Sequence, residues 1–184
     1  MQDEKLLIKQ CLKHNEQALS ELYNSFSGKM YGICLRYAKN KMDADDLLHD
    51  GFIKVLKNLE AYKGEGSFEG WMRRIMVNTA INFYRKKTNH IETDISEVYN
   101  LSDKSFNDAI SKISVNELLI LIQDLPDGYR LVFNMYVIEG YKHKEIAEIL
   151  EISENTSKTQ LLKAKATLKK KLEEKYKITE NVSR

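Results

Sequence analysis

Residues 71–87 combine side-chain types that could bind a nucleic-acid strand. Five of these residues are Lys or Arg, and none is Asp or Glu. In an α-helix, where successive residues are about 100° apart, one stripe of this segment carries an indole, guanidinium groups and amides. The stripe consists of Trp71, Arg74, Asn78, Asn82 and Arg85. The cations could contact phosphates, the amides could contact base edges, and the indole could stack on an unpaired base. A solvated basic surface is the alternative, but solvated surfaces usually mix both signs of charge.

An adjacent stripe of the same segment is apolar and predicts that the helix packs on a core. It contains Phe68, Met72, Ile75, Met76, Thr79 and Phe83. Just before it, Gly64-Glu65-Gly66-Ser67 interrupts the helical pattern, which predicts a short loop. The loop and the basic helix therefore belong to one unit.

The composition predicts an all-α protein. The 184 residues include one proline and many Lys, Glu, Leu and Ala. Apolar residues recur with helical spacing in three earlier stretches, within 19–26, 30–37 and 44–59. We expect a helical domain over residues 1–88.

Residues 89–114 differ from their surroundings, being rich in Asn, Ser, Asp and Glu. The wider segment 89–125 has a net charge of −5, whereas residues 156–177 have a net charge of +6, although the formal net charge of the whole chain is only +2. This distribution predicts two small helical domains that bind polyanions, joined by a flexible acidic linker over residues 89–114.

Residues 115–177 predict a second domain that contains a helix-turn-helix. Lys144 to Leu150 form a short apolar-faced helix, and Ser153 is a good N-cap for a longer one. The opposite face of the longer helix offers polar side chains suited to a major groove, namely Asn155, Thr156, Thr159, Gln160 and Lys163. Glu151 occupies the turn, where glycine is common, so we expect a wide or strained turn. We place Pro126 in the first turn of an earlier helix.

Other features exclude several classes of protein. Cys11 and Cys34 are far apart and are expected to be buried packing residues, so we predict no metal and no cofactor. The start of the chain lacks the pattern of a signal peptide, and no stretch reaches the length of a membrane span. We expect a cytoplasmic protein that is not an enzyme.

Two alternatives remain open at the level of the residues. A dimeric helix-turn-helix regulator would explain 140–172 but would leave the basic helix without a role. A metal-dependent nuclease would use Asp43, Asp45, Asp46 and Asp50. Within one helix Asp46 and Asp50 share a face while Asp43 and Asp45 diverge, so a two-metal site is disfavoured.

Several motifs together resemble the extracytoplasmic-function group of bacterial RNA polymerase sigma factors of the sigma-70 type. Asp45 to Lys54, then Gly66-Ser67-Phe68 with Trp71, then Arg74 to Ala80, resemble the promoter-melting domain of that group. Leu125-Pro126, Phe133, Glu139-Gly140-Tyr141 and Glu145-Ile146-Ala147 resemble its C-terminal helix-turn-helix domain. Both domains occur in the expected order.

The resemblance implies a transcription initiation factor that brings core polymerase to one class of promoters and promotes melting of the DNA. It implies contacts of Asp45, Asp46, Asp50 and Phe52 with the clamp helices of the β′ subunit, and a further contact of the protein with the β subunit. The minus-ten element would contact Lys63, Ser67, Phe68, Trp71, Arg74, Asn78, Asn82 and Arg85. The helix-turn-helix would bind the minus-thirty-five element through Asn155, Thr156, Thr159, Gln160 and Lys163. The acidic linker would run through the RNA channel of polymerase, and an anti-sigma factor is a further partner that the family implies.

Two departures from the family pattern concern the predicted recognition helix. Ser157 stands where the family usually has an apolar Val, and Lys replaces Arg at several positions. Lys reads guanine less well than Arg because it lacks a planar pair of donors. We therefore expect an altered preference at the minus-thirty-five element.

Overall fold

The computed structural model describes residues 4–87 and 113–182, with side chains described for 4–85 and 113–174. Every regular element in these ranges is helical, which confirms the predicted all-α fold. The chain divides into two compact units, residues 1–83 and 84–184. The predicted linker, 89–114, lies almost entirely outside the described residues.

Four α-helices begin in the first unit: α1 (Glu4–Cys11), α2 (Glu16–Tyr37), α3 (Lys41–Lys57) and α4 (Phe68–Lys87). A short 3₁₀ turn, Leu59–Ala61, follows α3. Asparagine side chains begin two of the helices. The Oδ1 of Asn15 accepts from the Ala18 amide at 3.0 Å, and that of Asn40 accepts from the Asp43 amide at 2.8 Å. Each bond satisfies an amide that the first turn of a helix leaves without an intrahelical partner.

The core of the first unit is built from the apolar stripes that the sequence predicts. Leu22, Met30 and Ile33 of α2 are buried, as are Ala44 and Val55 of α3. From α4, the residues Phe68, Met72, Met76 and Thr79 are buried, whereas Ile75 and Phe83 are half-buried. The core therefore fixes which side of α4 remains accessible.

The second unit contains α5 (Val115–Gln123), α6 (Asp127–Phe133), α7 (His143–Leu150) and α8 (Glu154–Val182). A single π turn, Asn134–Ile138, follows α6 directly. Ser114 begins α5 with a reciprocal capping box to Glu117. Pro126 occupies the N-cap of α6 rather than its first turn, one residue earlier than predicted.

The helix-turn-helix consists of α7 and α8, and its packing follows the predicted pattern. Ile146 and Leu150 of α7 are buried, while Ala147 is half-buried. The predicted inward stripe of α8, namely Leu161, Ala164, Leu168 and Leu172, is also buried. Ser153 caps α8 as predicted, since its hydroxyl accepts from the Thr156 amide at 2.9 Å.

The turn of this motif is strained at Glu151, as expected from the absence of glycine there. Glu151 has φ 57° and ψ 41°, which is the left-handed region. A residue with a Cβ adopts this conformation at a cost of about 1–2 kcal/mol. The turn is nevertheless closed, because the Ile152 amide donates to the Ala147 carbonyl at 3.1 Å.

Candidate nucleic-acid and polymerase interfaces

The polar stripe of α4 lies on the accessible side of that helix. Arg74, Asn78, Asn82 and Arg85 are exposed, and Trp71 is half-buried. The Trp71 ring stacks on Phe68 with centroids 5.6 Å apart and leans on Tyr62 at 5.4 Å. The indole therefore packs against the domain with part of its surface and leaves the rest accessible to a ligand.

The loop before α4 is held in a defined conformation. Gly64 and Gly66 have φ of 76° and 79°, which residues with a Cβ rarely adopt. The Tyr62 hydroxyl donates to the Gly66 carbonyl at 2.9 Å, and the Ser67 hydroxyl accepts from the Gly70 amide at 3.1 Å. Ser67 is exposed while acting as this cap, and Lys63 is exposed at the start of the loop.

Phe68 does not lie on the accessible surface that its predicted role requires. Its side chain has no exposed area and contacts the rings of Phe26 at 5.6 Å and Tyr62 at 5.1 Å. The reason is its place at the start of the apolar stripe of α4. Phe68 therefore packs against Trp71 from the core and does not present its own ring to a ligand.

A groove of about 390 Å³ lies between α3 and α4. Its lining includes Trp71, Ile75, Asn78, Thr79 and Asn82 from α4, together with Lys54, Asn58 and Ala61. The groove thus combines apolar side chains, one aromatic ring, three carboxamides and one ammonium group. Amides can donate to and accept from base edges, an aromatic ring can stack on a base, and an ammonium group can contact a phosphate.

Lys54 and Asn58 are members of this groove that the sequence analysis did not identify. Lys54 Nζ donates to Thr79 Oγ1 at 3.1 Å, which joins the end of α3 to the middle of α4. The Asn58 amide nitrogen donates to the Lys54 carbonyl at 2.8 Å. Their spacing of four residues near the end of α3 places them on one face, but nothing local indicates that this face borders α4.

Acidic side chains of α3 form a separate exposed surface. Asp45, Asp46 and Asp50 are all exposed, whereas Asp43 is 6% exposed. These three exposed carboxylates are the ones assigned to polymerase contact by the family resemblance. A nuclease site would need these three carboxylates together with that of Asp43, which is buried.

The structure corrects the placement of Phe52. It is only 6% exposed, and its ring lies 4.7 Å from that of Tyr23. Phe52 follows Leu48 by one turn on the apolar stripe of α3, and both side chains point into the core.

The polar face predicted for α8 is only partly open. Asn155 is exposed, and Thr156 and Thr159 are half-buried. Gln160 and Lys163 are 3% and 8% exposed, so the prediction that they lie open is wrong. Gln160 borders the inward stripe because it lies one turn before the buried Ala164. Lys163 lies about 200° around the helix from Leu161, so α8 is covered on more than one side.

Burial of the polar atoms of Gln160 and Lys163 costs free energy. Within the described part of the chain, Gln160 Nε2, Gln160 Oε1 and Lys163 Nζ have no hydrogen-bond partner. An unpaired buried polar group costs about 1–3 kcal/mol. Contact of either side chain with DNA requires that it first become exposed.

Both cysteines are buried free thiols, as predicted. Burial raises the pKa of the Cys34 thiol to about 12. Burial, with a smaller contribution from Glu21, also raises the pKa of Cys11. Across residues 4–87 and 113–182, no group of three His, Cys, Asp or Glu side chains could hold a metal ion. In the same ranges, no helix has the length and apolar character that a membrane crossing requires.

Two family models match the chain, one in each unit. Residues 22–90 match sigma-70 region 2, and residues 116–168 match sigma-70 region 4. The first match contains α3, the loop and α4, and the second contains the helix-turn-helix. A chain with these two regions in this order is an RNA polymerase sigma factor, which directs transcription from specific promoters.

The relatives that match the chain over most of its length include two ECF sigma factors. It is 28% identical over 176 residues to the ECF RNA polymerase sigma factor SigW of Bacillus subtilis, covering 90% of this chain and 94% of the relative. It is 24% identical over 178 residues to the ECF RNA polymerase sigma-E factor of Haemophilus influenzae, covering 91% of this chain and 94% of the relative. The chain belongs to the extracytoplasmic-function group of the sigma-70 family.

A solved structure supports the fold. The sigma factor RpoE of Bartonella quintana, in complex with the anti-sigma factor NepR, aligns with a TM-score of 0.50 at 14% sequence identity. The alignment covers 84% of this chain and 96% of RpoE. At this identity the likeness concerns the fold alone.

Proposed function

We propose that this sigma factor melts the minus-ten element by holding unpaired bases of the non-template strand against α4. The observation that carries the proposal is the groove in which Trp71, Asn78 and Asn82 of α4 face Lys54 and Asn58. Its volume of about 390 Å³ is sufficient for a flipped nucleobase, and its lining offers both stacking and hydrogen-bonding groups. The exposed Arg74 extends the cationic surface along the helix for the phosphates. Arg85 is also exposed, but its guanidinium group forms an ion pair with Glu151 at 2.8 Å, so a phosphate would have to replace that carboxylate.

The free energies of the expected contacts are large enough to melt the DNA through binding alone. Extruding a base from a duplex costs a few kcal/mol. Stacking on an aromatic ring contributes about 1–3 kcal/mol per base, and a bidentate amide contact contributes a similar amount. A few such contacts offset the cost without any covalent step, so the proposed factor is not an enzyme and needs no cofactor.

The acidic surface of α3, the loop before α4 and the polar face of α8 have separate roles in the proposed function. The exposed Asp45, Asp46 and Asp50 would dock on the β′ clamp helices of core polymerase, with Phe52 supporting α3 from the core. The loop from Lys63 to Phe68, including the exposed Ser67, would enclose an extruded base. In the second domain, Asn155, Thr156 and Thr159 would contact the minus-thirty-five element, and Gln160 and Lys163 would join them once exposed.

The wider organisation follows from these assignments. The proposed domains are residues 1–88 and 115–177, and the acidic linker between them would occupy the RNA channel of polymerase in the cytoplasm. An anti-sigma factor is also proposed as a partner, since the sigma factor RpoE of Bartonella quintana is found in complex with one.

The decisive variant is Asn78→Ala, because Asn78 is an exposed member of the groove. Loss of one base contact worth about 1–2 kcal/mol predicts that open-complex formation falls by about 5- to 30-fold. Permanganate footprinting of the minus-ten element measures opening, and gel filtration with core polymerase measures assembly. Assembly is expected to stay unchanged.

Asn24→Ala is the matched control, because Asn24 lies in the same domain on α2 outside this groove. It is expected to leave both readouts unchanged. If the Asn78 variant reduces assembly and opening together, or changes neither, the assignment of α4 is wrong. A symmetric footprint of the protein without polymerase would instead support a dimeric regulator.

A further inference from the structure

Ser157 is a fully buried polar residue on the inward stripe of α8. Its exposed fraction is 0%, and Leu161, one turn later, is also buried. A hydroxyl in such a place costs free energy unless it forms a hydrogen bond. Its partner is Nδ1 of His143, which lies 2.9 Å from Ser157 Oγ. The bond thus joins the first residue of α7 to the first turn of α8, across the turn of the helix-turn-helix.

The His143 ring is itself held in place from a third segment. Tyr136, in the π turn after α6, stacks on it with centroids 4.4 Å apart and an interplanar angle of 22°. The start of α7 is fixed by a hydrogen bond from the Lys142 amide to the Glu145 carboxylate at 2.7 Å. Ring, backbone and hydroxyl therefore form one chain of contacts, from Tyr136 through His143 to Ser157.

Small rotations of α8 would matter for DNA contact. With side chains, a helix has a radius of about 5–6 Å, so a rotation of about 20° moves a side-chain tip by about 2 Å. A displacement of that size breaks a hydrogen bond to a base edge. Ser157 directly follows Asn155 and Thr156, so a bond at Ser157 controls the rotation at the point where these side chains project.

We propose that Tyr136, His143 and Ser157 form a positioning site that sets the rotation of α8 for reading the minus-thirty-five element. This inference rests on the proposed function of α8. The three residues would not contact DNA themselves; they would orient the residues that do. An apolar residue at 157 would pack against α7 without fixing a direction, whereas the hydrogen bond specifies one rotation.

Three variants, two single and one double, separate positioning from stability. Ser157→Val and His143→Phe each remove one partner of the bond, and the phenylalanine keeps a ring to stack on Tyr136. The double variant removes both partners and leaves an apolar pair. We expect each single variant to be destabilised, and the double variant to recover stability because no polar group is left unpaired.

The functional readout is promoter selectivity of the full chain with core polymerase. Run-off transcription is measured on a promoter library with a fixed minus-ten element and a varied minus-thirty-five element. We expect the ratio between the preferred and a mismatched minus-thirty-five sequence to fall by about tenfold in each single variant, equivalent to about 1.4 kcal/mol. The ratio should remain low in the double variant, although urea unfolding shows it to be stable.

Two further variants complete the test. His143→Asn keeps a hydrogen-bonding atom near the position of Nδ1, and it should retain selectivity within about threefold of the original protein. Thr167→Val is the matched control, because it removes another hydroxyl of α8, one that donates to the Lys163 carbonyl at 2.9 Å. It should leave selectivity unchanged.

The outcomes distinguish this inference from the proposed function. If the unaltered protein discriminates among minus-thirty-five sequences but the variants discriminate equally well, the positioning site is wrong and the role of α8 stands. Recovery of selectivity together with stability in the double variant would also overturn the inference, since it indicates a purely structural bond. If the unaltered protein ignores the minus-thirty-five sequence, the proposed role of α8 and the positioning site fail together, whereas the proposed role of α4 is unaffected.

Discussion

Gly51 of α3 lies directly against the thioether of Met76 in α4. A Cβ placed on Gly51 would be 2.1 Å from Met76 Sδ and 2.9 Å from Met76 Cε. Glycine inside a helix costs about 1 kcal/mol relative to alanine, so its presence here reflects the need for close packing. One side of this contact belongs to the helix with the exposed carboxylates, and the other belongs to the helix with the Asn78 stripe. The contact therefore holds the proposed polymerase surface and the proposed DNA surface in a fixed relation.

The substitution Gly51→Ala is expected to destabilise the first domain. Overpacking costs about 1–3 kcal/mol, and the better helix propensity of alanine returns about 1 kcal/mol. Because the thioether is the flexible end of Met76, the net loss should lie at the lower end of the resulting range, about 0–1 kcal/mol. Trp71 is the one tryptophan of the chain and lies in this domain, so its fluorescence during urea unfolding measures the loss. Gly28→Ala is the control, because nothing lies within 4 Å of a Cβ at Gly28. That variant should be slightly stabilised, and equal stabilisation by both changes would contradict the packing described.

Lys54 is expected to contribute one phosphate contact to the melted complex. Lys54→Met keeps most of the side-chain volume and removes the charge, so affinity for a fork-junction promoter should fall. The slope of log affinity against log salt should decrease by about 0.7, the value for one phosphate of a single strand. Binding of the polymerase holoenzyme is measured at several salt concentrations. Lys57→Met is the control, since Lys57 is exposed on the same helix but outside the groove. Equal salt slopes for the two variants would show that Lys54 does not contact a phosphate.

The sequence predicted most accurately those features that depend on a single helix. The exposed stripe of α4 and the buried stripe of α8 follow from helical spacing, which sequence alone reveals. The cap at Ser153 and the strain at Glu151 are also local, because each depends on a residue type at one position of a turn.

The features that sequence could not predict arise from packing between segments distant along the chain. Lys54 and Asn58 join the groove because α3 ends beside the middle of α4. Gln160 and Lys163 have polar side chains typical of an open surface, yet tertiary packing buries both. Ser157 was recognised only as a departure from the family pattern, since its partner His143 is 14 residues away.

Arg130 is another residue whose burial the sequence did not predict. Its replacement is expected to lower the stability of the second domain. This side chain has no exposed area, and its guanidinium group donates to the carbonyls of Gln123 at 3.2 Å and Leu125 at 2.7 Å and forms an ion pair with Asp127. Arg130→Met removes the guanidinium donor from these acceptors, for an expected loss of about 3–5 kcal/mol. Urea unfolding followed by circular dichroism should show early loss of helix, before the Trp71 fluorescence changes.

Arg130→Lys tests whether charge alone suffices. Lysine keeps the positive charge but lacks the planar fork that reaches several acceptors, so it should restore only part of the stability. Full stability in the lysine variant would show that the fork geometry is unimportant. Full stability in the methionine variant would contradict the role of Arg130 altogether.

Protonation of His143 is expected to make the second domain less stable in mild acid. Burial is the main cause that lowers the pKa of His143 from its ordinary value of 6.5; Lys158 and Lys165 lower it further, and Glu154 opposes them. A lowered pKa means that the unfolded chain binds this proton more readily than the folded chain does. The contribution of neutral His143 to stability is therefore complete above about pH 6.5 and is lost as the pH falls through the lower folded pKa.

The measurement is the urea midpoint of unfolding, followed by circular dichroism. This midpoint should decrease as the pH is lowered from about 7 to about 5.5. The fall should be smaller in His143→Asn, which cannot titrate; an identical pH dependence of the two proteins would show that His143 is not responsible.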